Sequence, residues 1–287
     1  MQVIHTIAEL KHEIHDKKVN GQSIGLVPTM GFLHDGHLTL AREAKKENDL
    51  VVMSIFVNPT QFGPNEDFES YPRDLARDMA LAVTAGVDYI FAPTVEEMYP
   101  TDGGIKITAG RQAELLCGAS RPGHFDGVLQ VVAKLFHIVE PTRAYFGQKD
   151  AQQLAIIQTM VRDFNFPLEV RSVPIVREQD GLAKSSRNVY LTEEERSKAP
   201  VIYKALQNAM NAVLNGSAVD EALLQAADTI EEQTAGQIDY LQMLAYPDLT
   251  PVTEQTTDVL LAVAVYVGKT RLIDNIMFSL KGELVNV

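Results

Sequence analysis

An α/β chain is predicted here: a doubly wound, Rossmann-like parallel sheet domain followed by a smaller C-terminal α+β domain. Three observations predict it. Short apolar runs alternate with amphipathic helical stretches as far as Val173, which is the pattern of βαβ units and a parallel sheet. Polar, glycine-bearing strings stand where those apolar runs end, the edge at which doubly wound sheets hold ligands. After Val176 the order changes to two long helical stretches and then three strand-like runs. The expected domains are therefore 1–175 and 176–287.

In order, Ile4, Ile7, Leu10 and Ile14 fall at helical spacing on an outer amphipathic helix that stops at Asn20-Gly21. Residues 24–29 read as a short buried strand, 31–36 as a turn, 37–47 as a helix and 50–57 as a second strand. A polar loop over 58–71 leads to a helix over 73–85, ended by Gly86, and a third strand over 89–92. Residues 99–123 are rich in glycine and polar side chains and read as a mobile excursion. Then come a helix over 128–139, a strand over 144–146, a helix over 151–164 and a strand over 168–173. In the second domain, helices are expected over 193–214 and 219–234, and strands over 238–245, 259–267 and 271–279.

Composition narrows the function classes. The 287 residues are 46% apolar and 22% charged, values of an ordinary globular protein. A net charge of −13 argues against a nucleic-acid partner, which would call for a basic face. It leaves room for a small anion in a locally positive pocket. The single cysteine, Cys117, allows no disulfide within the chain; with no signal peptide in view, a cytoplasmic protein is expected. The longest apolar run, Val259–Val267, is far short of the roughly 20 residues that span a bilayer, so no membrane role is expected.

Four polar strings stand at predicted strand ends. In the first, Pro28 to His37, His34 and His37 flank Gly36 where the first strand turns into a helix. Free backbone N–H groups at a helix N-terminus favour anions, and imidazoles can donate to phosphate oxygens as their charge grows. Gly36 would let a phosphate approach. A zinc site is the weaker alternative, because no third ligand stands at a usual spacing. In the second string, Phe56 to Phe62, Asn58 and Gln61 suit a small ligand with hydroxyl and carboxylate oxygens, or else an ordinary turn before Pro59. In the third, Phe146 to Gln153, Gly147 permits close backbone approach and Lys149 supplies a charge for phosphate. Asp150 can accept from ribose hydroxyls or cap a helix, and Gln153 follows one turn later. In the fourth, Lys184-Ser185-Ser186-Arg187-Asn188 sets two cations around two hydroxyls. It suits a triphosphate, or a basic linker. A further string, Arg121 to Gly127, lies before a helix and reads either as a closing loop or as a plain one.

Taken together and in this order, PTMGFLHDGH, FVNPTQF, YPR (71–73), RPGHFDGV, FGQKDAQQ and KSSRN resemble the pantoate–β-alanine ligase (pantothenate synthetase) family. That family lies in the cytidylyltransferase-like superfamily, related to class I aminoacyl-tRNA synthetases. The resemblance covers nearly the whole chain. It implies two steps: pantoate attacks the α-phosphate of ATP to give pantoyl adenylate and pyrophosphate, and β-alanine then attacks the mixed anhydride to give pantothenate and AMP. It implies that the first domain binds ATP and pantoate and that the second acts as a lid.

By the same resemblance, the residues from Met30 through Gly31, His34 and Gly36 to His37 contact ATP, with His34 and His37 at the phosphates. Gly147, Gln148, Lys149 and Asp150 bind ribose and phosphate, and Val176 touches adenine. Lys184, Ser185, Ser186 and Arg187 form a signature loop; His34, His37, Lys149, Lys184 and Arg187 carry the catalysis. Gln61 and Gln153 hold pantoate, with Asn58 and Met30 lining the acid and amine site. Mg²⁺ and a homodimer are also implied. Relatives often carry an acidic pair after YPR, whereas this chain has Arg77-Asp78, so Asp78 is the candidate for a metal-linked or structural role. Read from the strings alone, a nucleotidylyltransferase that keeps its nucleotidyl product, or a nucleotide sensor that releases no pyrophosphate, stands as the alternative.

Overall fold

The computed structural model describes residues 1–64, 66, 68–101 and 103–281. The chain divides into two compact units. The first holds Met1–Glu114, Gly118–Gly147 and Ile156–Val173; the second holds Leu115–Cys117, Gln148–Ala155 and Pro174–Val287.

The first unit is built on β1 (Gln2–Ile4), β2 (Ile24–Thr29), β3 (Leu50–Ile55), β4 (Tyr89–Phe91), β5 (Arg143–Gly147) and β6 (Glu169–Val173). They form one parallel sheet in the order β1-β4-β3-β2-β5-β6. From β2 the chain moves outward through β3 and β4, then returns to add β5 and β6 on the other side. The switch point therefore lies between β2 and β5, which pair through their amino-terminal residues, Gly25 with Arg143 and Leu26 with Ala144. Val27, Val51, Met53, Ile90 and Tyr145 from the strands pack with Leu38, Ala41 and Ala44 in a hydrophobic core.

The helices are α1 (Ile7–Val19), α2 (Asp35–Glu47), α3 (Leu75–Thr84), α4 (Val95–Met98), α5 (Leu116–Ser120), α6 (His124–Val139) and α7 (Ala151–Asp163). The N-terminus departs from expectation. Residues 2–4 form an edge strand against β4, and the helix starts only after Thr6, whose hydroxyl accepts from the Glu9 amide. A three-residue strand is too short for its period to show. Both α2 and α6 begin earlier than their apolar spacing suggests, because His34 caps one and the left-handed Gly123 (φ 79°) opens the other. The stretch 99–123 contains a 3₁₀ turn at Arg111–Glu114 and the short α5.

The second unit contains α8 (Glu193–Lys198), α9 (Val201–Leu214) and α10 (Val219–Thr234). Its strands are β7 (Gln237–Ala245), β8 (Thr250–Pro251), β9 (Asp258–Val267) and β10 (Thr270–Ser279). These four make an antiparallel sheet in the order β10-β9-β7-β8. The single helix expected over 193–214 is two helices. Pro200 has no N–H to continue the first and stands at the start of the second. The apolar run through β9 is central, between β10 and β7, so nearly every side chain on it is buried. Ile202, Leu206, Ala226 and Ile230 pack on Leu261, Val263 and Val265 beneath it. No helix among the described residues is long and apolar enough to cross a membrane.

Candidate active site

The turn after β2 is set by its own side chains and by one distant carboxylate. Gly31 (φ 85°) and Phe32 (φ 47°) are consecutive left-handed residues. The successive amides of Phe32 and Leu33 converge on one point beside this turn. Asp78, on the first turn of α3 and buried, fills it. One carboxylate oxygen accepts from the Phe32 amide at 2.8 Å and the other from Leu33 at 2.7 Å. Arg77 stacks on the Phe32 ring at 4.9 Å and stands 3.7 Å from Asp78. Each oxygen of Asp78 accepts one amide of the turn, and the side chain is almost completely buried. The side chain fits a positioning role and does not fit that of a Mg²⁺ ligand, so no protein ligand is assigned to the metal.

Next along the turn, His34 is the N-cap of α2. Its Nδ1 accepts from the Gly36 amide at 3.1 Å, and His37 Nδ1 accepts from the His34 amide at 3.4 Å, a histidine version of the capping box. A backbone amide only donates, so both Nδ1 atoms are unprotonated and both neutral rings carry their proton on Nε2. The rings lie 4.0 Å apart. The pair is therefore fixed as two N–H donors at a helix N-terminus. Gly36 has a structural use within the turn. A Cβ there would come within 2.8 Å of His34 Cε1, so glycine admits the capping ring.

The string after β3 forms a second cluster in the same unit. Asn58 is buried. Its Nδ2 donates to Gln61 Oε1 at 3.1 Å and to the Gly127 carbonyl at 3.0 Å. Its Oδ1 accepts from the hydroxyls of Tyr99 at 2.8 Å and Thr60 at 3.0 Å. All four of its hydrogen-bonding positions are used within the protein, which puts Asn58 behind Gln61. Gln61 in turn donates to Met30 Sδ at 3.3 Å, so Met30, Asn58 and Gln61 come together. Gly127 lets α6 approach: a Cβ there would sit 2.3 Å from the Thr60 carbonyl oxygen.

Beside this cluster, the Arg121 Nε donates to Glu66 Oε1 at 2.7 Å and its Nη1 to His124 Nε2 at 3.0 Å. Because guanidinium only donates, His124 carries its proton on Nδ1 and gives it to the Gln61 carbonyl at 2.8 Å. The bonds from Arg121 hold the Glu66 carboxyl below its ordinary pKa. Arg121 and His124 are thus wired to Gln61. Neither Tyr99 nor Glu66 stood out in the sequence, since an isolated Tyr or Glu in a polar loop carries no signal.

Of the remaining residues, Gly147 belongs to the first unit and the others to the second. Gly147 ends β5 with no atom within 4 Å of where a Cβ would be. The chain then enters a 3₁₀ turn, Gln148–Asp150, and α7. Gln148 is buried and Lys149 partly so, with Asp150 exposed and 4.0 Å from the Lys149 ammonium. Gln153 is half-buried in the first turn of α7. Its neighbour Gln152 is buried and closes on the 115–117 segment, accepting from the Cys117 amide at 3.0 Å and donating to the Leu115 carbonyl at 2.7 Å. Val176 accepts from the Lys184 amide at 2.9 Å, and the Lys184 ammonium stands 3.6 Å from Glu178. The Ser185 hydroxyl accepts from the Arg187 amide at 3.2 Å, opening a 3₁₀ turn over Ser186–Tyr190. Val176, Lys184, Ser185, Ser186 and Arg187 therefore form one continuous loop system.

Known proteins resemble this chain over nearly its full length. The family model described as pantoate-beta-alanine ligase matches residues 2–277. A curated pantothenate synthetase of Lysinibacillus sphaericus (strain C3-41) is 70% identical, over 99% of this chain and 100% of that protein. The crystal structure of pantothenate synthetase from Thermus thermophilus superposes with a TM-score of 0.90 at 48% identity, covering 96% of this chain and 98% of that one. That of the Francisella tularensis pantoate-beta-alanine ligase, complexed with beta-gamma ATP and β-alanine, does so with a TM-score of 0.79 at 36% identity, over 98% of each chain. With a family match over nearly its full length, the chain belongs to the pantoate–β-alanine ligase family.

Proposed function

We propose that this chain is an AMP-forming ligase that condenses (R)-pantoate with β-alanine through pantoyl adenylate. The observation that carries the reading is the family match across residues 2–277. The histidine pair capping the helix after β2 supports it on chemical grounds. In the first step a pantoate carboxylate oxygen attacks the α-phosphorus of ATP. The bond from that phosphorus to the bridging oxygen breaks, and pyrophosphate leaves with the electron pair. In the second, the β-alanine amine attacks the acyl carbon, AMP leaves, and the nitrogen loses a proton.

The work is mostly charge cancellation and alignment, because carboxylate and triphosphate repel. His34 and His37 donate their Nε2 protons to phosphate oxygens as the α-phosphorus becomes five-coordinate. Lys149, Lys184 and Arg187 neutralise the phosphates and the departing pyrophosphate, with Ser185 and Ser186 donating beside them. Met30, Gly31 and Gly36 shape the ATP side of the first turn. Gly147, Gln148 and Asp150 take the ribose and Val176 the adenine. Gln61 and Gln153 hold pantoate, with Met30 beside them and Asn58 orienting Gln61. Mg²⁺ bound with ATP would add charge neutralisation at the phosphates. The Arg121 region closes over the adenylate and keeps water from it. The assembly is a homodimer in the cytoplasm.

Incubation with ATP, Mg²⁺, pantoate and β-alanine, read by mass, tests the reading. The expected products are pantothenate, AMP and pyrophosphate, with AMP released only when the amine is present. A stable nucleotidyl product, or no pyrophosphate at all, would remove it.

A further inference from the structure

We propose that Asn275 on β10 is a positioning residue for Lys149, and that Arg177 and Asp274 lock Asn275 in place. The proposal rests on the reading of Lys149 as a phosphate-contacting cation.

Asn275 is 4% exposed. Its Nδ2 donates to two successive carbonyls, those of Gln148 and Lys149, each at 2.9 Å. Both amide hydrogens are therefore spent on the short turn that presents Lys149 between β5 and α7. An apolar residue of similar size could fill the space but could not hold those carbonyls.

The anchor is itself braced. Asp274 is buried and bound bidentately by Arg177, at 2.7 and 2.9 Å. Asp274 also accepts from the Asn275 amide at 2.7 Å, while Arg177 Nη2 donates to the Asn275 carbonyl at 3.3 Å. Arg177 Nη1 reaches the Gly181 carbonyl at 3.0 Å, at the head of the loop that carries Lys184 and Arg187. The guanidinium stacks on the Tyr203 ring at 3.5 Å. One planar guanidinium thus ties the Asn275 backbone to the start of that loop, and Asn275 ties β10 to Lys149.

The physical reason lies in the lysine. An ammonium on a flexible four-carbon stem is a poorly placed charge unless its backbone is fixed. Misplacement by about 1 Å can cost about 10² in rate. Fixing the Lys149 carbonyl removes backbone freedom at the point where the stem begins.

The test is pantoate-dependent ATP–pyrophosphate exchange in the full-length protein, comparing N275A, N275D, K149A and the double variant N275A/K149A. N275D keeps the size but sets an acceptor against two carbonyl oxygens. N275A is expected to lower kcat/KM for ATP by about 10-fold to 100-fold, and N275D by more. In the K149A background, N275A should add less than about twofold, because residues acting through one group do not add. Should N275D fail to fold, N275S, which can hold one carbonyl only, is expected to fall between wild type and N275A. Wild-type exchange by N275A alongside a slow K149A overturns the proposal and leaves the role of Lys149 standing. Losses from N275A and K149A that multiply in the double variant overturn it as well. Wild-type exchange by K149A overturns the reading of the lysine, and the proposal with it.

Discussion

The turns that follow β2 and β5 solve one problem in different ways. The turn after β2 is organised largely from within: His34 and His37, three residues apart, cap α2 with each other's backbone. Among the described residues it is braced from a distance by Asp78, 46 residues from Phe32, and Gln61 reaches Met30 beside it. The turn after β5 is held from outside, by Asn275, 127 residues from Gln148. The first is rigid because a short peptide satisfies its own amides. The second depends on a strand of the C-terminal sheet. Damage to β10 should therefore disturb Lys149 and spare the histidine cap, while damage to α3 should do the reverse.

The largest effect that can break this comparison is loss of the charged or donating groups themselves. H37A and K149A are each expected to lower pantoate-dependent ATP–pyrophosphate exchange by about 10² or more, the scale for losing one preorganised donor. Exchange at wild-type rate in either variant removes that residue from the account.

Asp78 gives the next effect. D78N leaves one of two converging amides facing an NH₂ group, at a cost of about 1–3 kcal/mol, visible as a lower urea midpoint. Exchange should fall by about tenfold, the rate equivalent of some 1.4 kcal/mol, at an unchanged Mg²⁺ requirement. A shift of the Mg²⁺ titration to higher concentration would instead hand the carboxylate to the metal.

The smallest effect is a pH dependence. Bonds from Arg121 hold the Glu66 carboxyl below its ordinary value of 4.5. A carboxyl lowered by folding adds stability that is present above that ordinary value and lost as pH falls through the lower, folded one. The stability gap between wild type and E66Q should therefore be constant from pH 7 to about 5 and shrink on further acidification. Urea titrations across that range check it; a gap that widens in acid would mean the bond to Arg121 does not favour the charged form.

These contrasts also explain what could be read from the sequence. Strands β2 to β6, helix α10, strands β7, β9 and β10, and the polar strings were legible because each is written within a few residues; the break at Pro200 and the two-residue β8 were not. The spacing of His34, Gly36 and His37 marked a turn at a helix N-terminus; that the two rings cap the helix, and that Gly36 makes room for one of them, was not readable from it. The misses have a common cause. β1 is three residues long and exists only because β4 pairs with it. Asp78 was visible as a lone acid after Arg77, but nothing local says that its oxygens reach Phe32 and Leu33. Asn58 read as a ligand-facing amide until Tyr99 and Gly127, 41 and 69 residues away, were seen to fill its hydrogen-bonding positions. Arg177, Asp274 and Asn275 lie in ordinary-looking segments and meet only through the fold. Long-range polar pairing leaves no period and no spacing to read.

The account's central claim is that the histidine-capped turn acts on the α-phosphorus during adenylation. Rapid-quench single turnovers of wild type and H37A test it most directly. They would follow pantoyl adenylate formation from ATP and pantoate, and separately the reaction of supplied pantoyl adenylate with β-alanine. Wild type should accumulate adenylate without the amine. H37A should slow that step by about 10² while slowing amide formation much less. Equal slowing of both steps, or adenylate formed by H37A at the wild-type rate, would contradict the claim.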